Sequence, residues 1–177
     1  MSVSQDARVT ALMIKLSENG SVEFRAYKDS EFDFACILRG ITETSARAEY
    51  RERFEAVGQW RDHYLDYVID VDGEPIGQVQ LRHCDKTMPQ GVLEFGIELA
   101  PEFQGKGFGT EAIKKITQFM FSQDYHRISG STDVSNIGMQ RAFEKAGWTF
   151  EGTMFSLFVE DGVAHDYLSY SCINSKP

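Results

Sequence analysis

The stretch Leu93–Thr110, LEFGIELAPEFQGKGFGT, decides how this chain is read. Its first half alternates: Leu93, Phe95, Ile97 and Leu99 are apolar, and Glu94, Gly96 and Glu98 lie between them. A period of two places the first set on one face of a strand and the second on the other. Pro101 ends that ladder, because proline lacks the N–H that a strand donates. Then Gln104-Gly105-Lys106-Gly107-Phe108-Gly109-Thr110 sets three glycines at alternate positions. An amphipathic helix is expected next over Thr110–Phe121, with Ala112, Ile113, Ile116, Phe119 and Met120 as its stripe. Strand, glycine loop and helix in that order let backbone N–H groups converge on a diphosphate at the positive end of the helix. The same glycines also suit a tight strand-to-helix turn with no ligand. The dinucleotide fingerprint fails, since Thr110 stands where GxGxxG needs its last glycine. The ATP loop fails too, because Gly107 follows Gly105-Lys106 where serine or threonine is required.

On the N-terminal side, Val9–Leu16 and Ser21–Tyr27 flank Asn19-Gly20 and read as a hairpin. A short helix is expected from Phe32 to Leu38, and a longer one over Thr44–Val57, stopped by Gly58. Tyr64–Val71 and Ile76–Leu81 are strands joined through Asp72-Gly73, and Gly91–Leu99 follows. Beyond the loop and its helix come a strand over Arg127–Thr132 and a helix capped by Ser135 or Asn136 that runs to Ala146. Gly147 stands at its C′ position. Phe150–Val159 and Val163–Ser171 close the chain around Asp161-Gly162. The expected order is β–β–α–α–β–β–β–α–β–α–β–β, a mixed α/β sheet. No repeat or linker divides residues 1–177, so a single domain is expected.

The 177 residues are 42% hydrophobic and 25% charged, a globular composition. Net charge is −9, which argues against nucleic-acid binding and favours a cationic small partner. Cys36, Cys84 and Cys172 are too scattered for a disulfide framework or a CxxC metal pair. His63, His83, His126 and His165 lack metal-ligand spacing, so no metal is expected. No apolar run approaches the roughly 20 residues that cross a bilayer. The N-terminus also lacks the order of a signal peptide. The expected location is therefore cytoplasmic, with no membrane partner.

Gln104–Gly109 fits Q-x-x-G-x-G, and Asn136–Trp148, NIGMQRAFEKAGW, follows at the right distance. On these two motifs the chain resembles the GCN5-related N-acetyltransferase (GNAT) superfamily across about Tyr64–Tyr170. Leu93–Phe103, Gly107–Ala112, Glu151-Gly152 and Asp161–Asp166 look most like its ribosomal-protein N-terminal acetyltransferase branch. The resemblance implies a mixed, mostly antiparallel sheet flanked by helices. It implies direct transfer of the acetyl group of acetyl-CoA to a primary amine: a protein N-terminus, a polyamine, an aminoglycoside or a small amine. The branch nominates a protein N-terminus. By the same resemblance Gln104, Gly105, Lys106, Gly107, Phe108, Gly109 and Thr110 hold the cofactor's pyrophosphate. Asn136, with Phe143 and Lys145 on the following helix, lies along the pantetheine arm. The strand through Ile97 and Leu99 lends backbone N–H groups to the pantetheine and thioester.

An amine must lose a proton before it attacks a thioester, so a carboxylate base is needed. Glu94 is the first choice and Glu98 the second; the plainer reading is a pair of solvated edge carboxylates. The resemblance places acceptor specificity in the acidic, aromatic segment Phe32–Trp60. It also brings Lys114 and Lys115 toward the CoA 3′-phosphate, although a solvated helix face explains them equally well. Phe143 stands where many members have a tyrosine that protonates the leaving thiolate, and Met139 where the branch has a serine. The alternative reading is therefore a catalytically inactive acyl-CoA-binding sensor on the same fold. A monomer and a homodimer are both compatible with the sequence.

Overall fold

The computed structural model describes residues 21–175. Its strands are β1 (Val22–Arg25), β2 (Trp60–Arg61), β3 (Tyr64–Val71), β4 (Glu74–Arg82), β5 (Val92–Leu99), β6 (Arg127–Asp133), β7 (Thr149–Glu160) and β8 (Val163–Ile173). Its helices are α1 (Phe32–Leu38), α2 (Thr44–Glu55), α3 (Phe108–Ser122) and α4 (Ile137–Lys145). One-turn 3-10 helices occupy Asp29–Glu31 and Pro101–Phe103. Hydrogen bonding joins the strands in the order β1-β3-β4-β5-β6-β8-β7, with β2 on β3. Pairs β1–β3, β6–β8 and β7–β8 are antiparallel, whereas β5–β6 is parallel with Val92 opposite Arg127. A parallel pair needs a crossover, and α3 supplies it. The expected mixed, mostly antiparallel sheet flanked by helices is the architecture found. Contacts group the residues into two compact units: one reaches Gln80 and adds Ile97–Ala100, the other takes Leu81–Gly96 and the chain from Pro101.

In the first unit, β3 is buried from Leu65 through Asp70 without a break. Such a strand cannot show the alternation of a half-exposed one. Its two acids need partners there, since an unpaired charge is costly away from water. Asp70 takes the Arg25 Nε–H at 2.8 Å and the Gly73 N–H at 2.8 Å. Tyr50 and Phe54, one turn apart on α2, pack on Ala35 and Cys36 of α1. Tyr27 stacks on Phe54 with ring centroids 4.9 Å apart. At the end of α1, Ile41 N–H reaches Cys36 O at 2.8 Å and Gly40 N–H reaches Ile37 O at 3.0 Å. This is a Schellman closure with Arg39 as the C-cap.

The second unit is built on α3. Ala112, Ile113, Ile116 and Met120 are buried as expected, but the fifth buried position is Thr117, and Phe119 is half-buried. Threonine is tolerated because its hydroxyl is satisfied twice: it donates to Ile113 O at 2.6 Å and accepts the Trp148 indole N–H at 3.1 Å. Helix α4 closes with the same motif as α1, through Gly147 N–H to Glu144 O and Trp148 N–H to Phe143 O. The Phe143 and Trp148 rings then stack at 4.8 Å.

Several expectations change in detail. The arm Val9–Leu16 and the Asn19-Gly20 turn lie outside the described residues, and Val22–Arg25 pairs with β3. β2 was not foreseen; two residues are too few to show a period. α3 begins at Phe108 rather than Thr110, because Gly107 acts as its N-cap. β7 is irregular, with register shifts at Phe150/Gly152 and Met154/Phe158. At the second shift Ser156 takes φ 51° and donates its N–H to Asp166 Oδ1 at 2.7 Å.

Candidate active site

The glycine loop is shaped by its backbone. Gln104 N–H closes the preceding turn onto Pro101 O at 3.2 Å. Gly105 then takes φ 71° and Gly107 φ 93°, a left-handed region that side chains disfavour. A Cβ at either position would meet nothing within 4 Å, so conformation alone selects glycine there. With no side chain to cap it, Gly107 leaves the N–H groups of Phe108, Gly109 and Thr110 without a side-chain acceptor among the described residues at the start of a 15-residue helix. The first intrahelical bond is Glu111 N–H to Gly107 O at 3.1 Å. Lys106 is exposed, with Nζ 5.7 Å from the centre of the Phe103 ring. Open space, uncapped donors and the helix dipole together suit a diphosphate.

The structure separates the two carboxylates. Glu94 is bound by Arg82, whose Nε–H donates at 2.7 Å and whose terminal amino group also reaches Oε2. Glu98 has no hydrogen-bond partner among the described residues. Glu98 is exposed on β5, but partial desolvation of its carboxyl pushes its pKa up, and the positive charge of Arg39 opposes that rise. Its neighbourhood in the first unit is tight, since a Cβ on Gly77 of β4 would fall 2.3 Å from Glu98 O. Ala100 N–H donates to Ile76 O at 2.9 Å just beyond it. Ile97 and Leu99 are half-buried on the opposite face of β5 from Glu98.

Asn136 is the N-cap of α4, and its Oδ1 accepts the Met139 N–H at 3.0 Å. Phe143 lies 1% exposed between Trp148 and Tyr170, with Phe95 at its edge. It presents no surface to a ligand and has no proton to give a thiolate. Lys145 is exposed in the last turn of α4, where a cation complements the helix dipole. Ser135 commits its hydroxyl proton to Asp133 Oδ1 at 2.6 Å, and His165 approaches Asp133 from the other side at 3.3 Å. The bonds from Ser135 lower the Asp133 pKa most, with His165 adding to them. A carboxylate in the middle is no nucleophile triad, because the serine does not donate to the histidine. Lys115 pairs with Glu111 at 3.1 Å.

One cluster went unread in the sequence. Asp66 on β3 is 5% exposed and accepts from Gln78 Nε2 at 3.0 Å and Gln80 Nε2 at 2.8 Å, both from β4. Arg53 of α2 adds bonds of 3.2 to 3.4 Å, and Arg39 stands 3.6 Å from Oδ1. Gln78 Oε1 in turn accepts from Tyr27 OH at 3.1 Å and Arg39 Nε at 3.2 Å. The available signal was an acid in an otherwise apolar run, followed by glutamines at alternate positions of the next strand.

Comparison with known proteins supplies the class. The family described as "Acetyltransferase (GNAT) domain" matches residues 15–149. The chain is 27% identical over 135 residues to the "Putative ribosomal N-acetyltransferase YdaF" of Bacillus subtilis, covering 73% of this chain and 72% of that one. It is 29% identical over 97 residues to the spermidine N(1)-acetyltransferase of Escherichia coli, covering 54% and 51%. In fold it is similar to spermidine N-acetyltransferase from Vibrio cholerae solved with CoA and spermine, with TM-score 0.73 and 22% identity over 89% and 98% of the two chains. Among the described residues no helix is long and apolar enough to cross a membrane. These relatives do not favour the inactive-sensor alternative. The chain belongs to the GNAT acetyltransferase family and is an acetyl-CoA-dependent N-acetyltransferase acting on an amine.

Proposed function

We propose that the acceptor is the N-terminal α-amine of a basic polypeptide, and that Glu98 is the base that removes its proton. The carrying observation is the Glu98 carboxyl, exposed on β5 beside the half-buried Ile97 and Leu99 and without the arginine pairing that holds Glu94, its pKa raised by partial desolvation. Proton transfer is efficient when acid and base are matched. An α-amine, with a pKa of about 7.7–8.0, lies closer to a raised carboxylate than a lysine-like amine near 10.4. In this reading Glu98 takes the proton and the amine nitrogen bonds to the acetyl carbon. The C–S bond then breaks, and CoA leaves as its thiolate. Backbone N–H groups of Gln104–Thr110 hold the diphosphate, Asn136 and Lys145 lie along the pantetheine arm, and N–H groups near Ile97 and Leu99 orient the thioester. Glu94, paired with Arg82, has a structural role. Net charge −9 favours a cationic acceptor. The relative named for ribosomal N-acetylation covers more of the chain than the spermidine enzyme does. The chain works in the cytoplasm as one acetyltransferase domain.

The test is thiol release from acetyl-CoA with peptides matching basic ribosomal N-termini, the same peptides blocked at the α-amine, spermidine and an aminoglycoside. Turnover of free but not blocked peptides supports the reading. Turnover of spermidine with none of the peptides overturns it.

A further inference from the structure

We propose that one face of the β7–β8 hairpin is a docking surface for the basic side chains of a polypeptide, with Phe158 and Tyr167 packing on a lysine or arginine that Glu160 and Asp133 attract. The inference rests on the reading of the acceptor as a basic polypeptide. Residues opposite each other on neighbouring strands share a face of the sheet, and so do alternate residues along one strand. Val163, His165 and Tyr167 of β8 are therefore on one face. Glu160 stands opposite Val163, Phe158 opposite His165 and Met154 opposite Tyr167, while Asp133 of β6 flanks Tyr167 on its other side. Phe158 and Tyr167 meet edge to face with ring centres 5.0 Å apart. The reverse face of β8 carries Tyr170, which α4 covers by stacking Phe143 on its ring. The Phe158 face has no such cover among the described residues: Phe158 is 56% exposed and Val163 59%.

Apolar side chains grouped in water mark a contact surface, and here charge chooses the partner. Trp148–Ser175 contains no lysine or arginine, whereas Glu151, Glu160, Asp161 and Asp166 all fall within it. Two of these acids are answered: Arg127 pairs with Glu151, and the Ser156 N–H bonds Asp166 Oδ1. Glu160 and Asp161 are exposed at the tip, and neither side chain has a partner among the described residues. Asp133 adds a carboxylate that bonds from Ser135 hold below the usual aspartate range, with His165 3.3 Å from its Oδ2. An aromatic face is the negative pole of a quadrupole, so rings and carboxylates attract the same sign of charge. A second copy would bring the same acids and no hairpin lysine or arginine to meet them, which opposes self-association through this face. A lysine or arginine suits it in both parts. Its charge meets Glu160 and Asp133, and its alkyl stem lies on Phe158 and Val163.

The test uses peptides blocked at the α-amine, so that docking is read apart from acetylation. A blocked peptide with a basic ribosomal N-terminal sequence is titrated into the CoA-loaded enzyme by calorimetry. The same sequence with glutamine for every lysine and arginine is the control. The basic peptide should bind the wild type more tightly than the control does. Phe158→Leu and Glu160→Gln should each weaken the basic peptide about two- to fivefold, and Glu160→Lys, which reverses the charge, by about tenfold. The control peptide should bind all four proteins alike. Both positions are exposed, so Tm and CoA affinity should not move. A wild type that does not distinguish the two peptides, or variants that bind the basic peptide as the wild type does, overturn the inference. So do variants that weaken spermidine binding and leave the peptide unaffected. A wild type that sediments as a dimer, dissociated by Phe158→Leu, also overturns it, since a second copy then occupies the face. Free peptides separate the two levels. If blocked peptides dock as expected but their free counterparts are not acetylated, the acceptor reading fails and the surface stands; if free peptides are acetylated and the variants leave docking unchanged, only the surface fails.

Discussion

Replacing Gly107 tests the cofactor loop with an internal control. The residue holds φ 93°, and an added Cβ would meet nothing within 4 Å. Gly107→Ala therefore carries a conformational cost and no steric one, about 1–2 kcal/mol for an L-residue in the left-handed region. For a chain of this length each kcal/mol corresponds to about 2–4 °C in Tm. Gly73, in the turn between β3 and β4, has φ 88° and equally open surroundings, so Gly73→Ala should lose the same stability. The two variants should part on acetyl-CoA. A methyl at Gly107 enters the space assigned to the diphosphate, whereas one at Gly73 does not. Gly107→Glu adds a like charge, and about 4 Å from the diphosphate at an effective dielectric near 20 this costs about 4 kcal/mol. Screening lowers that, so an affinity loss of about 10²–10³-fold is expected. Differential scanning fluorimetry gives Tm, and isothermal titration with CoA gives Kd. If Gly107→Glu bound CoA as well as Gly73→Ala does, the loop would not be the diphosphate site.

Thr117→Val leaves the buried Trp148 N–H without its acceptor and should lower stability by about 1–3 kcal/mol, read from urea unfolding. Glu94→Gln breaks a half-exposed pair with Arg82 and should change stability by less than about 1 kcal/mol, leaving the acidic limb of the pH–rate profile in place. Burial alone would raise the Glu31 carboxyl, but bonds from Arg25 and the Lys28 N–H hold it below the ordinary glutamate range. A depressed folded-state pKa gives stability that is present above the unfolded value and lost as pH falls through the folded one. Glu31→Gln should therefore flatten the loss of urea midpoint on acidification below about pH 4.3, and an unchanged slope would refute this.

The second unit was largely legible because its elements obey local rules. β5 alternates cleanly, Asn136 and Gly147 bracket α4 at cap positions, and Asp161-Gly162 turns the last hairpin. The loop was legible for a related reason, since glycine spacing reports backbone conformation directly. β3 hid its chemistry because a strand buried on both faces loses its period, and Asp66 reads as an interruption until its partners are seen. Those partners come from α1, α2 and β4, and no local window contains them all. Phe143 was read along the cofactor arm from its place in a motif, which does not reveal which way a helix turns its ring. The ring faces Trp148 and Tyr170. Glu94 and Glu98 could not be told apart on the strand, since what distinguishes them is the ion pair that Arg82, from the neighbouring strand, makes with Glu94.

On the proposed reading the diphosphate is held by main chain, and that has a consequence for control of the enzyme. Peptide N–H groups do not titrate in the physiological range, and neither does the conformation of Gly105 and Gly107. On that reading the loop's own grip on the diphosphate does not change with acidity. Glu98 is a side chain whose charge does follow acidity. With Glu98 read as the base, acidity acts on the acceptor step and not on the main-chain loop, so the two substrates meet surfaces of different sensitivity.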